Sequence, residues 1–427
     1  MSARAEQLRD RNYPDFVTLI RRSHDKDKAL GRVSVADVEA WLLGDALSEN
    51  GLLDLFHDFA LRMAAAELPV DRATLHVGTL HPQLYGYAWN WSATEGFCDE
   101  VKVSEAVLAT DAYRRNPMSE VVGRGETVRA RLDSPDDVAR YPLFSELAEK
   151  GMTDYIGLPL STGGAYHNAV TIATKQAGGF REDQLAEIDR LLKPFALHVE
   201  RHIAMRISQN VLDTYLGTAA GSQVLNGSIK RGAGAPISAI IWSSDLRGFT
   251  DLANRLKGPE VLAVLNEYFG LLAGAVMSHG GEVLKFIGDG LLAVFPFSSF
   301  KSEEAAAEAA FEAAAFALAQ LDALNESVDR LGDVADWRPL RSGIALHRGE
   351  VFFGNVGAPG RLDFTVIGRA VNTASRVEAL SKVLERPILV TEPVAALLEQ
   401  PLEAMGEHSL RGVPAPVTVF APTEAGR

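Results

Sequence analysis

Residues 281–296 read GEVLKFIGDGLLAVFP: two apolar runs meeting at Gly288-Asp289-Gly290. Glycines on both sides of an aspartate suit a tight hairpin turn and break a helix, so this stretch is read as two antiparallel strands. Lys285 and Asp289 interrupt the apolar pattern, and neither charge is needed to make the turn. The elements around the hairpin follow from composition and period. ISAIIWSSDL is a strand, and TDLANRLKGPEVLAVLNEYFGLLAGAVMSHG is helical. After the hairpin come the Ala-rich helix SEEAAAEAAFEAAAFALAQLDAL and two strands in LRSGIALHRGEVFFGNVG. The strand DFTVIG then leads into the helix AVNTASRVEAL. Strands alternating with helices in this way give an α+β domain whose sheet is covered on one face.

The first half has a different order. SVADVEAWLLGDAL opens a helix at Ser34 with acidic residues in its first turn, and GLLDLFHDFALRMAAAEL has apolar residues at helical spacing. ATLHVGTL and LYGYAWNW are strands separated by His81-Pro82, and DYIGLPLS and NAVTIATK flank a TGGAY turn. A long helix begins at REDQLAEIDRLLKPFALHVERHIAMRI. From Val199 to Leu216 it contains no proline or glycine, and Val199, Ile203, Ile207, Val211 and Tyr215 recur every fourth residue. Such a stripe packs on its own domain or pairs with its twin in a dimer. GSIKRGAGAPIS then forms a hinge into the second domain.

The chain has 427 residues, which suits two domains, and a formal net charge of −14. That charge excludes a general nucleic-acid binder, which needs a basic footprint, and leaves open a single nucleotide held with divalent metal. Cys98 is the one cysteine, so no intrachain disulfide forms, as suits a reducing cytoplasm. The N-terminus lacks the apolar core of a signal peptide, and no run of about eighteen apolar residues is seen. A cytoplasmic protein without a membrane span is expected.

Four stretches of the second half carry side chains suited to chemistry. Asp245 ends an apolar strand before the turn at Gly248, and Asp289 sits in the hairpin turn. Each alone is accounted for as a turn residue; together, two strand-end carboxylates suit Mg²⁺ or Mn²⁺, with a backbone carbonyl as a further ligand. Asn372 and Arg376, four apart on one helix face, suit a ribose and a phosphate, or simply a solvated surface. Thr365 lies on the strand leading into that helix.

The set SDLRGFT, KFIGDGLLAVF, GIALHRGEV, GNVG and DFTVIGRAVNTASR resembles the catalytic domain of class III nucleotide cyclases over residues 235–425. The resemblance implies a ferredoxin-like βαββαβ core with an added β-hairpin arm, working as a head-to-tail homodimer with shared active sites. It implies that Asp245 and Asp289 bind two divalent cations, with the Leu246 carbonyl as a further ligand. Lys285 and Thr365 would read the base, Asn372 orient the ribose, and Arg376 stabilise the transition state at the α-phosphate. One subunit would supply the aspartates and the other the remaining groups, so Lys285 and Asp289 would serve different sites. The reaction implied is attack of the ribose 3′-hydroxyl on the α-phosphate of ATP, giving 3′,5′-cyclic AMP and pyrophosphate. Adenine offers an acceptor at N1 and a donor at its 6-amino group, matching the Lys285 ammonium and the Thr365 hydroxyl. Guanine offers donors there and calls for the Glu that guanylyl cyclases of the family usually have. Two positions depart from the pattern: Trp242-Ser243 stands where Phe is often found before the first aspartate, and Arg411 is only a loose match for a basic residue that holds the triphosphate. His347 is read as structural.

The element order and the PL…TIAT…GGF…DQL pattern of the first half resemble a GAF-type sensor. The expected division is a helical segment over 1–49, a GAF-like antiparallel sheet with flanking helices over 50–200, a signalling helix and linker over 201–235, and the cyclase domain over 236–427. The aromatic run LYGYAWNW is a ligand-pocket lining or strand core. Cys98 and the histidines 76, 81, 167 and 198 are weighed as sites for a chromophore or haem and read as ordinary packing residues. A guanylyl cyclase and a catalytically silent nucleotide-binding dimer scaffold are the rival functions.

Overall fold

The computed structural model describes residues 13–23, 30–79, 81, 84–160, 168–327 and 338–423. The chain divides into two units, Met1–Val211 and Leu212–Arg427. The TGGAY turn, Pro82 and His167 lie outside the described residues.

The first unit runs β1 (Val17–Arg22), α1 (Val35–Leu43), α2 (Leu52–Ala65), β2 (Arg72–Gly78), β3 (Leu84–Ser92) and β4 (Cys98–Ser104). It continues with the short helices α3 (Asp111–Arg114), α4 (Met118–Arg124), α5 (Pro135–Val138) and α6 (Pro142–Glu149), the strands β5 (Val128–Arg131), β6 (Asp154–Leu160) and β7 (Asn168–Thr174), and the long helix α7 (Glu182–Leu216). Its seven-stranded sheet has the order β1-β4-β3-β2-β7-β6-β5, antiparallel throughout. Phe56 and Phe59 of α2 and Phe195 of α7 pack over Leu75, Trp89, Trp91 and Ile172, with the Phe59 and Phe195 rings stacked at 4.3 Å. The other sheet face carries Tyr155, Ala169 and Ala173 under Val121 of α4 and Phe144 of α6.

The structure departs from the expected division at the N-terminal end. Residues 17–22, expected within a helical segment, form a strand on β4, and Val38, Trp41 and Leu42 of α1 belong to the same core. The cause lies in β4, where the carboxylates of Asp99 and Glu100 are buried. Arg22 pairs with Asp99, and Arg21 with Glu100. Unpaired buried carboxylates are costly, so β1 is held where its arginines are needed. The aromatic run is largely core, since Trp89 and Trp91 are buried. Along α7, Val199 and Ile203 are buried and Ile207 packs on this core, whereas Val211 and Tyr215 are exposed.

The second unit begins with α8 (Thr218–Leu225) and β8 (Gly234–Leu246), then α9 (Phe249–Arg255), α10 (Gly258–Ser278), β9 (Glu282–Ile287), β10 (Gly290–Pro296) and α11 (Glu303–Glu326). It ends with β11 (Ser342–Ala358), β12 (Arg361–Ile367), α12 (Arg369–Val383), β13 (Ile388–Thr391), α13 (Glu392–Ala395), β14 (Leu402–His408) and β15 (Val417–Pro422). The sheet order is β14-β15-β13-β11-β8-β10-β9, with β12 paired to β11. The four strands β11-β8-β10-β9, with α10 and α11 between them in sequence, are the ferredoxin-like βαββαβ core. β11 runs on past this core, and its second half pairs with β12 as a hairpin arm.

On one face, Tyr268, Leu272 and Val276 of α10 and the alanines 306, 310, 313 and 317 of α11 meet Trp242, Phe295 and Leu346. The small alanine side chains let α11 lie close to the sheet. The expectation of a sheet covered on one face is corrected here. Ile241, Val294 and Val351 point the other way and are covered by Ala220 of α8 and by Ala370 and Ala374 of α12. Residues 239–242 of β8 are buried in succession, as strands covered on both faces require. The reading of apolar runs is also amended, because α10 is long and apolar enough to cross a membrane by length and composition. In the structure its residues Val264, Tyr268, Leu272 and Val276 are buried in the core.

Candidate active site

The hairpin and β8 bring two carboxylates together. Gly290 lies opposite Ile287 on β9 and opposite Asp245 on β8, so Asp289 in the turn comes beside the end of β8. Two glycines permit this. Gly288 has φ +63°, a conformation disfavoured for residues with a Cβ. A Cβ on Gly290 would lie 2.9 Å from the Ser244 carbonyl oxygen and 3.4 Å from Asp245 Oδ1. Burial, and then the charge of Asp289, push the Asp245 carboxyl above the usual carboxylate range, against Arg247 and Lys382, which lower it. Beneath the pair, the Ser342 hydroxyl donates to the Asp245 carbonyl at 3.1 Å and lies 2.8 Å from the Tyr268 hydroxyl. Ser342 has one hydrogen to give, so Tyr268 is the donor to it.

Two half-buried carboxylates that repel each other fit a divalent cation, whose charge favours the ionised form of both. Among the described residues no group of three or more His, Cys, Asp or Glu is placed to hold a metal. Any further ligands must come from backbone, water or a bound phosphate. The Leu246 side chain is hydrocarbon and buried; its backbone carbonyl is the one group with a lone pair for a cation.

Lys285 of β9 meets β12 rather than Asp289. Its Nζ donates to Asp363 Oδ2 in an ion pair. Asp363 and Thr365 are two apart on β12, on the face opposite the buried Phe364 and Val366. Lys285, Asp363 and Thr365 therefore form one polar patch. Asp363 was missed from the sequence. The only signal for it is the period of two that sets it beside Thr365.

Asn372 and Arg376 share the exposed side of α12, whose other side buries Thr373, Ala374, Val377 and Glu378. The cations that draw the Asp245 carboxyl down are Arg247 and Lys382. Within one chain the structure thus collects the aspartates at one place and presents Asn372 and Arg376 outward on α12. Arg411 is exposed between β14 and β15, and no ion pair among the described residues joins it to either aspartate.

The remaining candidates have structural surroundings. His347 Nδ1 is 2.9 Å from the Thr391 hydroxyl, and burial lowers its pKa to about 4. His198 Nε2 lies 2.6 Å from the Leu42 carbonyl, and His76 Nε2 is 3.1 Å from the Thr74 hydroxyl. Cys98 is buried. Trp242, at the departure from the usual pattern, is fully buried and donates from Nε1 to the Ser244 hydroxyl at 3.1 Å.

Residues 237–421 match the family model described as the Adenylate and Guanylate cyclase catalytic domain. The chain is 33% identical over 174 residues to an adenylate cyclase of Anabaena cylindrica, covering 41% of this chain and 33% of that protein. It is 34% identical over 155 residues to the terminal-differentiation specific adenylate cyclase of Dictyostelium discoideum, covering 36% and 7%. The chain therefore spans a third or less of the length of these relatives. Among solved structures, the adenylyl cyclase CyaB from P. aeruginosa aligns at 26% identity with a TM-score of 0.41, over 45% of this chain and 96% of that one.

Glu378 provides a pH test of the site's electrostatics. Burial, then the charge of Asp245, raise its carboxyl to about 7, with Asp289 adding to the effect and Arg247 opposing it. Between the ordinary value of 4.5 and about 7 the folded chain keeps a proton that the unfolded chain has lost. Metal-free protein should therefore lose stability as pH rises through that window, and level off above it. In Glu378→Gln this part of the slope should vanish, as followed by thermal unfolding in chelator from pH 4.5 to 8. An unchanged slope in the variant would contradict the assignment.

Proposed function

We propose that two copies of this chain form an adenylyl cyclase that converts ATP to 3′,5′-cyclic AMP and pyrophosphate. The observation that carries the reading is the register placing Asp289 beside Asp245, while Lys285 of the same hairpin turns to β12. Asp245 and Asp289 would hold two divalent cations, Mg²⁺ or Mn²⁺, with the Leu246 carbonyl assisting; these would supply acidification of the ribose 3′-hydroxyl and compensation of the triphosphate charge. Lys285, with one hydrogen on Asp363, keeps others for adenine N1, and the Thr365 hydroxyl accepts from the 6-amino group. Asn372 orients the ribose. Arg376 meets the charge that grows on the α-phosphate as the 3′-oxygen attacks and pyrophosphate leaves. The outward face of Asn372 and Arg376 supports a site completed between two chains. Relatives bearing the name adenylate cyclase support the choice of ATP, as does the donor-only ammonium of Lys285, which guanine's own donors would oppose.

The first unit is inferred to be the regulator, acting on the balance between competent and incompetent dimers. Its GAF-like sheet carries the reading, and its ligand is open. Unequal specific activity of the full chain and of a chain starting at Leu212, at matched dimer fraction, is the expected result. Equal activities would contradict regulation.

Purified full-length protein given ATP or GTP with Mn²⁺, then Mg²⁺, should make cyclic AMP from ATP. Asp289→Ala should lose about 10²-fold or more of that activity, the scale expected when a transition-state electrostatic group is removed. Lys285→Glu should lower the preference for ATP over GTP. Product from GTP alone, or an unimpaired Asp289→Ala, would overturn the assignment.

A further inference from the structure

We propose that Arg247 is a positioning residue: its guanidinium ties helix α12, with Asn372 and Arg376 on its outer face, to the strand end that carries Asp245. This deepens the cyclase reading and rests on it. Arg247 follows β8 directly, and its backbone N–H donates to the Arg341 carbonyl at 2.7 Å. Its side chain turns inward across β11 and is mostly buried. There Nη2 donates to the Ser381 hydroxyl and lies 3.6 Å from Glu378 Oε1. The Ser381 hydroxyl gives its own hydrogen to the Glu378 carbonyl at 2.6 Å, so its lone pairs are free for Arg247. Glu378 and Ser381 are three apart on the inner side of α12, and both are buried.

The strand beneath is shaped for this contact. Gly343 pairs directly with Asp245 in the ladder between β11 and β8. Its backbone is not among the positive-φ glycines, so conformational freedom does not explain a glycine there, and glycine weakens a strand interior. Space does explain it. A Cβ at residue 343 would lie 2.1 Å from Arg247 Nη2, 2.7 Å from its Cζ and 2.3 Å from Ser381 Oγ. Gly343 leaves room for the guanidinium, and the guanidinium in turn reaches two side chains of α12.

Such a strut matters because small rotations of α12 are magnified at its surface. A turn of about 10° carries a side-chain tip roughly 9 Å from the helix axis through about 1.5 Å. A misplacement near 1 Å can cost about 10²-fold in rate. Small buried residues such as Ala370 and Ala374 fill space without fixing a rotation; a guanidinium hydrogen-bonded to Ser381 and set beside Glu378, one turn away on the same helix, fixes it.

The test compares wild type, Arg247→Lys, Gly343→Ala and the double variant as full-length dimers, with cyclic nucleotide production followed against ATP and Mn²⁺. A lysine keeps the charge but lacks the planar guanidinium that fills the space over Gly343 and donates to Ser381. Each single variant should lose about 10- to 100-fold in kcat, with KM for ATP moving by no more than about threefold. Because Gly343→Ala acts by displacing the guanidinium, the double variant should fall within about twofold of Arg247→Lys alone. Gly343→Ala keeps every charged group, so its result stands even if Arg247→Lys folds poorly. Single variants that keep kcat within about twofold while only the thermal midpoint drops would reduce the cluster to packing and overturn the proposal. So would a double variant whose loss is the product of the two single losses. A wild type that makes no cyclic nucleotide would remove the cyclase reading, and this proposal with it. An active wild type with unaffected variants would remove this proposal alone.

Discussion

Two carboxylates held at one end of a sheet repel each other, and much of the second unit is arranged around that fact. Like charges at close range repel, and Asp245 and Asp289 are brought together by the β8–β10 ladder, whose register sets Gly290 opposite Asp245. The offsets are local: Arg247 and Lys382 draw Asp245 down while burial and Asp289 raise it, and Glu378 is raised to about 7 by burial first and by the same negative field second. A site whose charges are unbalanced by its own chain is one that gains from a cation and a nucleotide. The electrostatic cost in the empty protein is thus the counterpart of binding in the loaded one.

Much of this was legible in the sequence because it is local. The Gly288-Asp289-Gly290 turn, the apolar run of β8 that leads to Asp245, and the four-residue spacing of Asn372 and Arg376 each announce their geometry over a few residues. The antiparallel sheet of the first unit followed likewise from strand-length apolar runs and turns. What stayed hidden depends on contacts far apart in sequence. Asp363 reaches Lys285 across 78 positions, and Arg247 reaches Ser381 across 134. No local pattern marks either pair. The strand at Val17–Arg22 was missed for a related reason, since it is held through ion pairs with buried carboxylates of β4 nearly eighty residues away. The second covered face of this sheet stayed hidden because β8's apolar run marks a buried strand but not the elements, α8 and α12, that cover its far side.

Glycine serves three separate purposes around the site. Gly288 takes a backbone conformation that other residues avoid, Gly290 lets the hairpin approach Asp245, and Gly343 opens space for a guanidinium. Only the first of these is visible from sequence as turn chemistry. The other two are spatial and appear once neighbouring strands are in place. They show how a site's precision rests on residues that take no part in its chemistry.

The central claim is that one chain supplies the aspartates and its partner supplies Asn372 and Arg376. It is tested most directly by mixing two inactive chains, Asp289→Ala and Arg376→Ala, under conditions in which dimers exchange. A mixed dimer would hold one site with both defects and one with none. With half the dimers mixed, cyclic AMP production should return to about a quarter of the wild-type value. A mixture as inactive as its components, with exchange shown to have occurred, would place each site within a single chain and contradict the account.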